Sequence, residues 1–384
     1  MSKKLLLATY RLSNSHSRKF QYASKIMDSK SRYLLPIVVF TLARFAMVLV
    51  SMGSSGRGLA DLFYPSWGSS AFYDALLAAA GYGSNTVAYW TIMPSFPSLL
   101  HLILIPLLGF GKADIIEVFR SAWMVAVIVS WVLATVAVPI FQSIAEQVMS
   151  RVEAMNCALI MFFFPEVFVF SSLGFSSAFF LLLELAAWIL LTNKAYVGWI
   201  VAACLFSLTE LCGVAISIMF VAEMVHLRMS RKLIYSFIPL AAFLSWLGYV
   251  QGVSGNWMNV FGTGPYLVEY FSVLLGFTSL SVSSGQVYFD PIISSAVLCF
   301  LMIVGFLAFR VYRANCVMGS YAISLVVACA ILVPAGVLPR LLSLIFPVWL
   351  NLRIRSPFLT LALMFFFFLM SLLLWNGLIV GYFG

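Results

Sequence analysis

Residues 196–225 read YVGWIVAACLFSLTELCGVAISIMFVAEMV, an apolar run with Glu210 at its centre and Glu223 near its end. No lysine or arginine lies within two helical turns of Glu210. The run exceeds the roughly 20 residues a helix needs to cross about 30 Å of hydrocarbon. A charge at the bilayer centre costs at least ~2.5 kcal/mol on insertion scales, so it lines a cavity or meets a partner. The run therefore reads as a membrane span whose carboxylate asks for a cation.

The rest of the chain repeats the pattern. Its 384 residues are 63% hydrophobic and 9% charged, with a mean hydropathy of +1.05. A soluble core cannot bury that much apolar surface. Runs of spanning length recur near 34–52, 118–141, 155–171, 175–192, 233–250, 291–311, 317–333 and 358–380. Shorter or proline-broken segments lie near 92–110, 265–282 and 338–351. Roughly nine to twelve membrane segments are expected. Lipid permits only helices or a closed barrel, and the absence of period-two alternation excludes the barrel. The predicted fold class is all-α, a polytopic membrane helix bundle.

The net charge of +9 is uneven. Residues 1–33 carry Lys3, Lys4, Arg11, Arg18, Lys19, Lys25, Lys30 and Arg32 against Asp28 alone. The positive-inside rule makes this a cytoplasmic tail, leaving residues 34–384 as one transmembrane domain. Topology explains the basic flank, so no nucleic-acid partner is implied. No cleavage site follows the first apolar run, so no cleavable signal is expected. HLRMSRK (226–232) marks a second cytoplasmic turn. The stretch 51–91 is then a long outer loop, rich in aromatic residues, and FYDALLAAAGY within it predicts a short helix on the membrane surface. All six cysteines fall in apolar segments and read as packing residues. His16, His101 and His226 are too scattered for a ligand set, so neither metal nor cofactor is expected.

Few ionisable residues lie at membrane depth: Arg44, Glu166, Glu184, Glu210, Glu223 and Arg340. Arg44 is expected to snorkel or to pair with a carboxylate, Glu184 to meet a basic group, and Glu223 to sit at a solvated interface. Two function classes fit. A transporter would use broken helices, midplane carboxylates and internal repeats. A lipid-linked glycosyltransferase would place an aspartate in the outer loop as general base and a cation deep enough to hold a lipid phosphate. The absence of a repeat and the long outer loop favour the enzyme class.

The order of segments resembles the PIG-V-type GPI mannosyltransferase family, which has the GT-C glycosyltransferase fold. Trp67, Phe72-Tyr73 and Gly81-Tyr82 stand where the family has Trp-Asp, an aromatic and Gly-Tyr. IMPSFPSLL, with Pro94, Phe96 and Pro97, occupies the place of Phe-Phe-Pro-x-Tyr-Pro. FFFPEVFVFSSLGFSSAFF (162–180) resembles the family's Pro-x5-Ser-Ala-x-Tyr-Thr-Glu-Ser-x-Phe segment through Pro165, Ser171, Ser177 and Phe179. LTELCG, with Thr209 and Gly213, matches Leu-Thr-Arg-x-x-Gly. LPRLLSLIFPVWL, with Pro339, Arg340 and Pro347, resembles Pro-Arg-Tyr-x6-Pro. Three polar positions depart: Gly68 replaces the aspartate, Gly174-Phe175-Ser176-Ser177 replaces Tyr-Thr-Glu-Ser, and Glu210 replaces the arginine.

The resemblance implies transfer of a sugar, mannose in the family, from a polyprenyl-phosphate donor to a lipid-linked or glycan acceptor. The reaction would occur on the extracellular face of a plasma membrane, or on the lumenal face of the endoplasmic reticulum in a eukaryote. With Gly68 unable to act, Asp61 is the first candidate base and Asp74 the second. The alternatives are that Asp61 caps the segment that follows it and that Asp74 is the solvated face of a surface helix. Arg340 is the candidate phosphate ligand, with Trp67, Glu210, Ser176 and Ser177 as further donor-site residues. Arg340 or Arg44 is the expected partner of Glu210. A non-catalytic relative that binds lipid-linked glycan is the leading alternative, and a transporter the third reading.

Overall fold

The computed structural model describes residues 30–55, 70–80, 92–108, 115–261, 291–333 and 338–380. Asp61, Trp67 and segment 265–282 fall outside them. Every regular element among the described residues is helical. The first span is α1 (Lys30–Ser55). The short α2 (Ser70–Ala80) and α3 (Ser95–Leu108) precede α4 (Ile115–Ala145). Next come α5 (Arg151–Phe163) and α6 (Pro165–Phe170), parted where Pro165 cannot supply the N–H that would continue the helix. Then follow α7 (Ser177–Thr192), α8 (Tyr196–Ser207), α9 (Ile216–His226) and α10 (Phe237–Ser254). The C-terminal part comprises α11 (Pro291–Ala314), α12 (Cys316–Leu332), α13 (Leu338–Leu344), α14 (Phe346–Trp349) and α15 (Pro357–Val380).

Five stretches are helices long and apolar enough to cross a membrane: Tyr33–Gly53, Ser121–Ala145, Ser230–Ser254, Val297–Ala314 and Pro357–Trp375. The apolar helices 95–106, 177–192, 196–207, 211–226 and 316–332 are shorter. Large side chains on the outer faces of the long helices are exposed, among them Leu42 and Leu49 of α1 and Phe358, Phe365 and Leu373 of α15. On a membrane helix that surface meets lipid, so it needs no protein partner.

The run 196–225 is not one span. It breaks after Ser207, continues through a short 3-10 helix (Leu211–Ala215) and resumes as α9. Glu210 stands in the break with extended backbone, φ −145° and ψ 150°. Side chains satisfy the carbonyls freed where α8 ends: Thr209 Oγ1 donates to Leu205 O and Ser207 Oγ to Cys204 O. The two arms lie antiparallel. Trp199 of α8 packs on Phe220 of α9 (4.4 Å), and Lys232 lies over the Tyr196 ring at the open end. Gly213 permits the close return, because a Cβ there would collide with the backbone oxygen of Phe206. At 1.5 Å per residue, α8 reaches only about 18 Å. The tip therefore ends inside the bundle: Ser207 Oγ donates to Pro239 O, and Leu208 and Leu211 pack with Phe243 and Trp246, midway along the Ser230–Ser254 span.

Two other expectations are corrected. The helix read as lying on the membrane surface, α2, is docked into the bundle against α3 and α4, with Asp74, Ala75 and Ala78 buried. Its aspartate is thus no solvated face. Arg44 does not snorkel and meets no carboxylate among the described residues. It is fully buried, donates to Trp131 O, Ser171 O and Ser171 Oγ, and lies over the Phe40 ring.

Many of the described lysines and arginines lie at or next to helix ends. Lys232 meets Tyr196 beside Lys194, Arg355 pairs with Glu153, and Arg353 reaches Val148 O. Asn351 donates to Leu307 O, one turn before Arg310.

Candidate functional site

The buried polar centre forms around the hairpin tip. Glu210 Oε1 accepts from Arg340 Nη2 at 2.8 Å and from Ser176 Oγ at 2.8 Å. Of the two arginines expected to answer Glu210, Arg340 is the one in contact. Both partners are shielded, with side chains 5% and 17% exposed for Arg340 and Glu210. The pair brings together residues 130 positions apart in sequence.

Each contact depends on local backbone. Arg340 stands in the first turn of α13, a seven-residue helix too short to cross anything. Its guanidinium lies over Phe170 (5.7 Å) and Phe175 (5.5 Å), whose ring faces favour a cation. Ser176 precedes α7 but does not cap it, since its hydroxyl turns to Glu210 instead. Glu210 precedes the 3-10 helix and does not cap that either. Ser176 thereby forgoes the local bond its type prefers at a helix start. The turn 171–176 is pinned to the middle of α4: Trp131 Nε1 donates to Ser172 O, Ser130 Oγ to Phe175 O, and Arg44 holds Ser171. Gly174 adopts φ +81°, and a Cβ there would crowd the backbone of Ala126 and Val127. This scaffold fixes Ser176 and Phe175 before any ligand arrives.

The neighbouring segments close on the same tip. Ser95 N–H donates to Leu208 O (2.9 Å), and Ser95 Oγ shares a hydrogen with Thr209 Oγ1 (2.7 Å). Asp74 feels both Glu210 and Arg340. Burial holds its carboxyl well above the ordinary carboxylate range; the negative Glu210 raises it further and Arg340 opposes. Glu166 of α6 also lies in the field of Arg340.

The structure thus groups Arg340, Glu210, Ser176 and Asp74. Ser177 follows Ser176, but its buried hydroxyl finds no hydrogen-bond partner among the described residues. Asp61 and Trp67 lie outside the described residues. Phe170, Phe175 and Ser95 join the centre without having been named as site residues, and their position inside matched segments was their only sequence signal. Glu166, noted only as an ionisable residue at membrane depth, lies in the field of Arg340. Glu184 departs from expectation: it accepts from Tyr321 Oη (2.9 Å) and the Phe346 N–H (3.5 Å), with no basic group beside it among the described residues. A hydroxyl and a helix-start amide do there what a cation was expected to do.

Comparison with models of known protein families, with curated proteins and with solved structures finds no match.

Proposed function

We propose that the chain is a multi-pass membrane glycosyltransferase of the PIG-V-like, GT-C type, taking a sugar from a polyprenyl-phosphate donor to a lipid-linked or glycan acceptor. The observation that carries this reading is convergence. Segments resembling the family's motifs, around residues 74, 95, 176, 210 and 340, meet at one buried polar centre. Unrelated resemblances scattered over 384 residues have no reason to do so.

In this reading Arg340 holds the donor phosphate by a charge-assisted hydrogen bond. An acceptor hydroxyl oxygen attacks the anomeric carbon with inversion. The bond from that carbon to the phosphate oxygen breaks, the lipid phosphate leaves with the electron pair, and a carboxylate takes the acceptor proton. Asp61 and Asp74 are the candidate bases. Burial raises the Asp74 carboxyl, so as base it would work better at higher pH. By the positive-inside rule the tail and the basic turns face the cytoplasm, and the donor would reach the centre from the other side.

One observation favours the alternative of a non-catalytic relative: Arg340 is already paired with Glu210. Reconstituted protein given a labelled polyprenyl-phosphoryl hexose and membrane lipid acceptors decides between them. Transfer of label that is lost in Arg340→Ala supports the enzyme. Donor binding without transfer supports the accessory reading. Solute uptake independent of any lipid-linked sugar supports a transporter and sinks both.

A further inference from the structure

We infer that Glu210 is an internal counter-anion, seated where a phosphate oxygen of the ligand goes, so that phosphodiester ligands enter by displacing it. This rests on the reading of the centre as a lipid-phosphate site.

The geometry is that of a ligand contact made by the chain itself. One carboxylate oxygen, Oε1, receives a guanidinium N–H and a serine hydroxyl, each at 2.8 Å. That donor set suits a phosphate oxygen equally well. The carboxylate reaches it from a break between two helical arms, where its side chain is tied to neither. At 17% exposure the side chain is also the less enclosed partner, and so the one free to swing aside. Ser177 adds a buried hydroxyl with no partner among the described residues, next to Ser176 at the start of α7.

Exchange has an electrostatic consequence. A ligand that takes the Arg340 N–H and the Ser176 hydroxyl must break both contacts to Glu210, and the displaced carboxylate remains beside a new anion. The acids described around it, Asp74 on α2 and Glu166 on α6, offer it no replacement cation. The charge of Glu210 therefore opposes phosphodiester binding, and removing that charge should tighten it.

The experiment measures equilibrium binding of a short-chain polyprenyl-phosphoryl hexose to purified full-length protein. Glu210→Gln, which keeps an acceptor for Ser176 but no charge, should bind more tightly than wild type, on the order of tenfold. Asp74→Asn, which removes an acid outside the contact, should change the affinity less. Phosphatidylglycerol as competitor reports whether any diester headgroup takes the seat; equal competition still supports the exchange. Equal binding by wild type and folded Glu210→Gln overturns the inference, as does a gain in Asp74→Asn as large as that in Glu210→Gln. Both leave the phosphate site standing. No binding by any of the folded proteins overturns the proposed site itself, and the exchange with it. Glu210→Ser, neutral and smaller, makes the same comparison if Glu210→Gln fails to fold.

Discussion

Arg340 and Glu210 are each costly alone at half depth in the bundle and tolerable together. Breaking a buried pair by removing one partner leaves an uncompensated charge, typically a loss of about 3–5 kcal/mol. Arg340→Ala should lower the thermal midpoint accordingly. Glu210→Arg, which restores the family's charge, should be at least as damaging because it sets two guanidiniums together. The reversed pair, Glu210→Arg with Arg340→Glu, should recover part of the loss; no recovery would mean the two do not interact as drawn. A second pair sits at the rim. Glu153 closes a capping box with Ser150 and accepts from Arg355 Nε at 2.7 Å. The Arg355 contact, then the Ser150 hydroxyl and N–H, lower its carboxyl to about 2. Its folded value lies below the ordinary 4.5, so its stabilisation is present above that pH and fades as pH falls toward 2. Thermal midpoints at pH 5 and pH 3 should therefore differ more for wild type than for Glu153→Gln.

At the scale of elements, the hairpin α8–α9 is what positions the centre, and it was only half legible. Glu210 announced that the run 196–225 held something buried and paired, because an apolar stretch does not carry a lone carboxylate idly. The break was not announced. Both arms are as apolar as a continuous span and no proline parts them; Ser207, Thr209 and Gly213 were the only marks. Order along the chain sufficed to single out Asp74, Ser176 and Arg340. It said nothing of Phe170 and Phe175 under the guanidinium, or of Glu184 finding Tyr321, since those depend on which helix faces meet. Gly213→Ala tests the hairpin directly. The added Cβ meets backbone, which cannot give, so a loss of about 1–3 kcal/mol is expected from overpacking. Donor binding should fall with it. An unchanged midpoint would mean the tip is not closed in this way.

For the whole molecule, the positive-inside rule expects the basic turns that hold Lys194, Arg231 and Arg353 on the cytoplasmic side. Single cysteines introduced at Lys194, Arg231 and Arg353 should react with an impermeant thiol reagent only after the membrane is opened, whereas one at Gly255, beyond the far end of α10, should react in intact cells. Labelling of the first three in intact cells would invert the orientation. The wider question is whether the centre around Glu210 and Arg340 is where a lipid phosphate sits. A polyprenyl-phosphoryl hexose carrying a photoactivatable group beside its phosphate, crosslinked to the reconstituted protein and mapped by mass spectrometry, addresses it most directly. The expected crosslinks fall in residues 170–177, 208–213 and 338–344, and disappear with excess unlabelled donor. Crosslinks confined to the lipid-facing surfaces of α1 and α15, and unaffected by that excess, would contradict it.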